Sequence, residues 1–403
     1  MSFQQGLSGL SGAQHALDAT SNNVANAGTV GYKLSGAQFA DVFAASLTGA
    51  GGNQIGIGTA VNQVAQQFTQ GNITVTNNPL DVAVNGSGFF RLSNSGTISY
   101  TRNGQFQVDK SGYIVNAQGL RLTGYGATST GTIVPGTPGD LQIQTSDIAP
   151  RTTTASNIVL NLDSRSTTPT NGTFSAADPS SFTSSTSQSV FDSKGNPHTF
   201  SLYFVKTATA GQWDMYSSLD GSTPAAATNL AFNSSGQLTT TMPLAQSFAL
   251  TNGATTPLAF TLDLAGGTEF GNAFGVNQML QDGFTSGRLS GISIAADGIV
   301  QGRYSNGQAS NLGQIVLVNF NNPNGLLALG GNQWAETPDS GQALLGTPGT
   351  GSLGVVQSAA VEESNVDLTS ELVNMITQQR NYQANAQSIK TQDQLLQTLV
   401  NLR

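Results

Sequence analysis

The stretch from Ser21 to Lys33 reads SNNVANAGTVGYK and decides how the chain leaves its first helix. Several asparagines and glycines are concentrated here, directly after an amphipathic segment. These residues are Asn22, Asn23, Asn26, Gly28 and Gly31. Asparagine can cap a helix end and tolerates left-handed backbone, and glycine allows the chain to reverse. We therefore predict a helix end followed by a tight return, with Tyr32 as its one large anchor and Lys33 as a solvated or interfacial charge.

An apolar seam precedes this turn. Apolar residues recur at alternating steps of four and three, at Phe3, Leu7, Leu10, Leu17 and Val24. This heptad spacing predicts a coiled-coil-like helix. Before Lys33 the only formally charged residue is Asp18, whereas a solvated helix usually has charges on its outer face. The small, neutral outer face favours a helix surrounded by other helices over the alternative, a marginal helix that frays.

The other end of the chain predicts a second and longer helix, because neither glycine nor proline occurs after residue 364. Asp367 or Thr369 can cap it, and Glu371 falls in the first turn, where the helix dipole favours an acid. Its apolar seam is formed by Leu372, Met375, Tyr382, Ala386, Ile389, Leu396 and Val400. Neither helix can bury its seam alone. We therefore expect an antiparallel pair of terminal helices, with further faces left for neighbouring molecules.

Between the helices the pattern is that of β-strands. Segments such as VTNNPLDVAVNGSGFFRL alternate apolar and polar residues between turn signals. Composition shifts near Asp147 and again near 282–289, and fourteen of the twenty-four residues from Ser164 to Ser187 are Ser or Thr. We predict an α+β fold, mainly β, with paired terminal helices and two nested β-rich domains. The expected parts are a helical assembly domain with its connector (1–71 and 364–403), a discontinuous β domain (72–145 and 285–363) and an inserted outer β domain (146–284).

Four segments place an Asp or Asn before small residues and a glycine. They are QVDKSGYIV, VFDSKGNPHTFSLYFV, LAFNSSGQLTT and ISIAADGIVQGRY. Calcium loops are one interpretation, but the acidic residue that closes an EF-hand loop at its twelfth position is missing, because Leu120 and Tyr203 occupy that place. We predict turns of antiparallel hairpins instead.

Composition argues against several function classes. Charged residues make up 9% of the chain, against about 25% in an average protein, and the net charge is −8 without any basic stripe, so we expect no nucleic-acid binding. No apolar run is long enough to span a bilayer, so we expect no membrane insertion. The first residues show neither the basic nor the apolar region of a cleaved signal peptide.

Catalytic and cofactor motifs are also missing from the sequence. The chain has no cysteine, and its only two histidines, His15 and His198, lie far apart. Lys33 lacks the upstream glycine and the following Ser or Thr of a phosphate loop. We therefore predict no enzyme, no metal site and no cofactor. Carboxylate pairs that meet in the fold are the one catalytic arrangement that the sequence leaves open.

The two ends and the first β region resemble one known family. SNNVANAGTVGYK and SNVDLTSELVNMITQQRNYQANAQSIKTQDQLLQTLVN resemble the terminal segments of the flagellar axial proteins (rod, hook and hook-associated subunits). PLDVAVNGSGFFRL and YTRNGQFQVDKSGYIVNAQGLRLTGY resemble the β domain of hook and distal-rod subunits. The insert and the ending LVNLR are similar to hook-type members. A distal-rod or other axial subunit is the nearest alternative, and a secreted β-rich adhesin or enzyme is the alternative of a different class.

The resemblance implies a structural subunit that self-assembles into a short curved tube, a universal joint that transmits motor torque from rod to filament. It also implies export through the flagellar type III apparatus without signal cleavage, and a final place outside the cell. The implied partners are further copies of the chain, the distal rod protein, the hook cap protein and the hook–filament junction protein.

Overall fold

The computed structural model describes residues 2–42, 56–144 and 146–401, and within them a helix stands at each end of a β-rich chain. Helix α1 is Ser2–Ala25 and helix α2 is Leu368–Asn401. Of the two predicted caps for α2, Asp367 is the one used: its Oδ1 accepts hydrogen bonds from the backbone N–H groups of Thr369 (2.8 Å) and Ser370 (3.2 Å). The bonds from Ser370 and Thr369 lower the pKa of Asp367. The predicted α+β, mainly β architecture with terminal helices is confirmed.

Strands fill the chain between the helices. The first group is β1 (Ser35–Val42), β2 (Gly58–Gln66), β3 (Ile73–Val75), β4 (Val82–Asn85), β5 (Phe89–Asn94), β6 (Thr97–Thr101), β7 (Phe106–Val108), β8 (Ile114–Asn116), β9 (Arg121–Gly126) and β10 (Gly139–Asp140). The second is β11 (Ala155–Asp163), β12 (Ser184–Phe191), β13 (Pro197–Lys206), β14 (Gln212–Leu219), β15 (Thr228–Ala231), β16 (Leu244–Phe248), β17 (Leu258–Asp263), β18 (Thr268–Phe270) and β19 (Gly275–Gln281). The third is β20 (Leu289–Ile294), β21 (Ile299–Tyr304), β22 (Ala309–Ile315), β23 (Leu317–Asn319), β24 (Leu327–Gly330), β25 (Gln333–Ala335), β26 (Leu344–Gly346), β27 (Val355–Ser358) and β28 (Ala360–Glu362).

The chain divides into two compact units. Unit 1 contains Met1–Thr145, Gly291–Arg303 and Ala309–Arg403, and unit 2 contains Ser146–Ser290 and Tyr304–Gln308. In unit 1 the early strands pair antiparallel with late ones: β9 with β22, β5 with β23, β6 with β25, β4 with β27 and β3 with β28. The β body of unit 1 is therefore completed only by chain that follows unit 2.

An aromatic cluster fills part of the core of unit 1. Phe89, Trp334 and Phe320 are buried, and Phe68, just beyond β2, packs edge-on against Phe89 and Trp334 with ring centroids 5.4 Å apart. The indole Nε1 of Trp334 donates a hydrogen bond of 2.6 Å to Oε1 of Gln66 at the end of β2. Edge-to-face aromatic pairs add about 0.5–1.5 kcal/mol each beyond their buried area. The end of the β1–β2 hairpin is thus fixed to the β body.

Unit 2 contains two sheets that share one core. Strands β16, β17, β11 and β18 follow one another in the first sheet, with β19 on β11, and β12 to β15 form the second. Alternate side chains from both point inward, among them Leu160, Phe204, Trp213 and Phe260. The Ser/Thr-rich stretch is mostly irregular up to residue 183, and Phe174 in it stacks on Tyr216 with centroids 3.9 Å apart.

The four Asp/Asn–Gly segments are turns between antiparallel strands, as predicted. β7 pairs with β8, β12 with β13 and β20 with β21, and Phe232 bridges to Leu238. Among the residues that the structure describes, no group of three or more His, Cys, Asp or Glu side chains could hold a metal ion. In the same part of the chain, no helix combines the length and the apolar character needed to cross a membrane.

Candidate functional site in the terminal helix pair

The two terminal helices pack antiparallel against each other. At one end Gly6 and Gly9 of α1 lie against Ile389 and Asn385 of α2, and at the other end Asn23 contacts Glu371. A methyl group added at Gly6 would lie 2.9 Å from Cγ1 of Ile389, and one added at Gly9 would lie 2.9 Å from the amide atoms of Asn385. Glycine at these two positions therefore lets the helices approach more closely than any larger residue would allow.

The buried face of α1 is built from small residues and one asparagine. We call it the small-residue face: Gly6, Gly12, Ala13, Ala16, Thr20 and Asn23. Apart from Gly12, its residues follow the heptad spacing and are displaced by one residue from the predicted apolar seam. One residue corresponds to about 100° around a helix. The antiparallel pair is present, but the face that α1 buries within its own chain is not the apolar seam.

The apolar seam of α1 is left uncovered over its first turns. Phe3 is 47% exposed and Leu7 53% exposed. Farther along, Leu10, Leu17 and Val24 are half-buried. Because the single chain buries its small residues instead, these larger side chains stay available to other molecules.

The apolar seam of helix α2 is covered only in part within the chain. In its seam Leu372 (45%), Tyr382 (37%) and Leu396 (53%) are exposed, while Met375, Ala386 and Ile389 are half-buried. The backbone of Val400 is helical, but its side chain lies outside the described residues. Further exposed apolar side chains on α2 are Leu368, Val373, Ile376 and Leu395. Contiguous apolar surface of this kind is rare on proteins that remain monomeric and marks interaction surfaces.

Asn23 fixes the end of α1 to both the returning chain and α2. Its Oδ1 accepts hydrogen bonds from the Tyr32 hydroxyl (3.0 Å) and the Ser35 amide (2.9 Å). Its Nδ2 donates to the Ser35 carbonyl (2.8 Å) and to Oε2 of Glu371 (2.9 Å). All four hydrogen-bonding sites of this buried amide are used. The sequence suggested only local roles for Asn23, capping and left-handed backbone, and gave no sign of this contact with the other end of the chain.

The other turn residues differ in what they contribute. Asn22 and Asn26 bond to each other, Asn26 Nδ2 donating to Oδ1 and to the carbonyl of Asn22 (3.0 and 2.9 Å). Neither asparagine, nor Asn23, has the left-handed backbone that the sequence suggested. Gly31 does, with φ +71°, whereas Gly28 has ordinary backbone and open space around it. Gly28 therefore does not use the backbone freedom that glycine was expected to supply for the reversal.

The sequence suggested that Lys33 is a solvated or interfacial charge, and the first of these alternatives is wrong. It is 1% exposed, and its Nζ lies 2.7 Å from Oε1 of Glu362 and donates a second hydrogen bond of 2.7 Å to the carbonyl of Thr69. Oε2 of the fully buried Glu362 also accepts a hydrogen bond of 3.1 Å from Nη1 of Arg102. A buried cation is tolerated only when it is paired, and here a single carboxylate serves two cations.

This buried charge network joins three distant parts of unit 1. Glu362 ends β28, Arg102 follows β6 and Lys33 follows the turn. Burial lowers the pKa of Lys33 and of Arg102, while the charge of Glu362 opposes both shifts. The Gly31 amide also donates to the Glu362 backbone carbonyl (2.8 Å). The turn that joins α1 to the β body is thereby held rigidly in place.

Substitution of Gly31 is expected to destabilise unit 1, and substitution of Gly28 is not. A Cβ at Gly31 would lie 2.6 Å from the backbone nitrogen of Asn103, in a backbone region that costs an L-residue about 1–2 kcal/mol. With the cost of overpacking, Gly31→Ala should lower the free energy of unfolding by about 2–4 kcal/mol. Gly28→Ala, with no atom within 4 Å, should change it by less than about 0.5 kcal/mol.

Urea unfolding followed by Trp334 fluorescence, in a Trp213→Phe background, measures this difference, because each unit holds one of the two tryptophans. Equal effects of the two alanine substitutions would contradict the assigned role of Gly31.

Comparison with known proteins gives four matching family descriptions along the chain. They are "Flagella basal body rod protein" (3–33), "Flagellar hook protein FlgE/F/G D1 domain" (83–163), "Flagellar basal body protein FlaE D2 domain" (161–284) and "Flagellar basal body rod FlgEFG protein C-terminal" (357–402). The first and last of these fall on the segments that form the helix pair.

Full-length relatives and one solved structure agree with these matches. The chain is 46% identical to the flagellar hook protein FlgE of Escherichia coli and 44% to that of Salmonella typhimurium, with all of both chains covered in each case. It is 32% identical to FlgE of Borreliella burgdorferi over 100% of this chain and 99% of that one. The crystal structure of Helicobacter pylori FlgE2 aligns with a TM-score of 0.53 at 15% identity, over 72% of this chain and all of that one, which supports the fold.

Proposed function

We propose a mechanism of self-assembly for this chain. The chain belongs to the flagellar hook protein family and is a structural subunit of the bacterial flagellar hook rather than an enzyme. In our proposal the terminal helix pair is the assembly element. Its small-residue face is buried within the chain, and its apolar seam packs against the helix pairs of neighbouring copies. The result is a curved tube that acts as a universal joint between rod and filament.

The observation that carries this proposal is the exposure of the apolar seam along both terminal helices. Phe3, Leu7, Leu372 and Leu396 are each about half exposed although they belong to ordered helices. Burying apolar surface contributes about 25 cal/mol per Å². Covering these side chains on both helices would therefore favour association of many copies. When the seam of one copy packs against a different face of the next copy's helix pair, the contact is heterologous, and heterologous contacts that do not close into a ring generate helical polymers.

The domain division proposed from the sequence fits this account. The helical part with its connector would form the assembly layer, and the discontinuous β domain and the insert at 146–284 would make up the rest of the subunit. The part of the connector at 43–55 lies outside the described residues.

We further propose the partners that a hook subunit requires: the type III export apparatus, the hook cap protein, the distal rod protein and the hook–filament junction protein. Export would take place without signal cleavage, and the assembled location would be extracellular. Expression of the chain in motile bacteria that lack their own hook subunit tests these assignments together. Secreted, uncleaved chain and hooks on rods are expected, and retention in the cell would contradict them.

Removal of both helical ends should abolish polymerisation without unfolding the β parts. A chain lacking 1–30 and 365–403 retains the paired strands of both units, because those pairings do not involve the helices. Electron microscopy after salt-induced association, with circular dichroism to check folding, measures the outcome. We expect curved tubes from the full chain and none from the shortened chain. Tubes from the shortened chain would remove the helices from the mechanism.

A further inference from the structure

A second group of charges lies in unit 2, outside the helix pair. His198, at the start of β13, places Nδ1 2.6 Å from Oδ2 of Asp220 and Nε2 3.3 Å from Oδ2 of Asp192. Its side chain is 10% exposed, that of Asp192 is fully buried and that of Asp220 is half exposed. Both ring nitrogens therefore face a carboxylate, one from the turn before β13 and one from the turn after β14.

This geometry fits only the protonated ring. A neutral imidazole has one N–H group, so one of its nitrogens would direct a lone pair at a carboxylate oxygen. The imidazolium donates to both. Burial alone would lower the pKa of His198, but the hydrogen bonds to Asp220 and Asp192 outweigh burial and raise it above its ordinary value of 6.5.

The two carboxylates are themselves held in place. Oδ1 of Asp220 accepts a hydrogen bond of 2.7 Å from the Thr199 amide. Asp192 accepts bonds from the Asn196 amide (2.9 Å) and from the side chain of Asn252 (2.6 Å), which lies in the loop after β16. Hydrogen bonds from Asn196, Asn252 and His198 hold the pKa of Asp192 well below its usual range, against the effect of burial. Asp192 thus remains ionised when the histidine titrates.

Among the residues that the structure describes, the other charged side chain at this cluster is Lys194, whose Nζ donates to the Asn252 carbonyl (3.3 Å). The loop at 249–256 has no charged residue in its sequence. A cavity of about 740 Å³ borders the cluster and is also lined by Leu219 and Phe248, two core residues of unit 2. Separation of the two turns would therefore bring water to this edge of the core.

We propose that the Asp192–His198–Asp220 cluster is a pH-sensitive latch that holds this end of unit 2 closed while the imidazolium is present and lets it open when the proton is lost. Loss of the proton leaves two carboxylates facing a ring that can donate to only one of them. The β12–β13 turn, the turn after β14 and the loop at 249–256 then separate in a local opening.

The sign of the effect follows from proton linkage. A raised pKa means that the closed state binds the proton more tightly than the open state, so the stabilisation is complete below pH 6.5 and is lost as pH rises through the raised pKa. Between those two values each opening event releases one proton. The opening equilibrium constant should then rise about tenfold per pH unit.

Amide hydrogen exchange on the full chain measures this opening. Intrinsic amide exchange already rises about tenfold per pH unit, and the opening equilibrium adds a second factor of ten. For the amides of Asn196 and Thr199, the logarithm of the exchange rate should therefore rise with a slope of two between pH 6.5 and the raised pKa of His198, which we call the slope-two window. The amide of Phe204, within β13, should show a slope of one. His198→Gln should reduce the slope at Asn196 and Thr199 to one, whereas His15→Gln, the matched control at the only other histidine, should leave it at two.

Asp220→Asn gives a second variant that keeps the shape of the turn and removes one of the two charges. Because one of the two charges that raise the pKa of His198 is lost, the slope-two window should end at a lower pH. The ¹⁵N chemical shifts of the His198 ring should show its deprotonation at that lower pH as well. A slope of one in the unmodified chain, or a His198 pKa in the folded state that is not above 6.5, would overturn the proposal.

Discussion

Replacement of Glu362 by glutamine is expected to cost about 3–5 kcal/mol of stability in unit 1, because it leaves two buried cations without their carboxylate. Glu362 is fully buried and contacts both Lys33 and Arg102. Glutamine has the same shape but no charge. The cost should appear in the urea unfolding curve reported by Trp334.

Two further variants make this result specific. Glu363→Gln removes the neighbouring, exposed carboxylate and should change stability by less than about 1 kcal/mol. Lys33→Met should cost less than Glu362→Gln, because Glu362 then still pairs with Arg102 and the buried charges balance. A larger cost for Lys33→Met than for Glu362→Gln would show that the network is not organised around the carboxylate.

The second large effect concerns assembly rather than stability. Leu7→Gln together with Leu372→Gln should leave the free chain folded, because both side chains are about half exposed there. In the polymer, burial of the exposed half of each leucine would contribute about 1 kcal/mol. Loss of about 2 kcal/mol per subunit raises the critical concentration for polymerisation roughly thirtyfold.

Sedimentation of polymer at increasing protein concentration measures the critical concentration. Val134→Gln is the matched control, since Val134 is 55% exposed and lies outside the helices. If the control raised the critical concentration as much as the double substitution, the effect would be a general consequence of lost apolar surface and not a property of the seam.

Local sequence signals predicted the elements of the fold but not all of their contacts. The cap at Asp367, the left-handed Gly31 and the strand–turn–strand units are set by neighbouring residues, so they could be predicted. The burial of Lys33 depends on Glu362, which lies 329 residues farther along the chain. The only sign in the sequence that Lys33 has a partner is its position. Charged residues make up just 9% of the chain, and this one lies inside a conformationally restricted turn.

The sequence could not show which face of α1 packs within the chain. Heptad spacing identifies an apolar seam, but it does not say whether the partner is the same chain or another copy. The face with Gly6 and Ala13 is too weakly apolar to stand out in the sequence, yet it is the one that packs internally. Likewise, two histidines far apart in the sequence give no sign of the cluster at His198, whose partners Asp192 and Asp220 are placed beside it by turns between strands.

Thiol labelling tests most directly the central claim that polymerisation covers the apolar seam. The chain has no cysteine, so Leu7→Cys introduces a single reactive site on the seam, and Ala16→Cys introduces one on the small-residue face. We expect a maleimide to label Leu7→Cys rapidly in the free chain and at least tenfold more slowly in the polymer, while Ala16→Cys stays protected in both. Equal labelling of Leu7→Cys in the free and polymerised states would contradict the account.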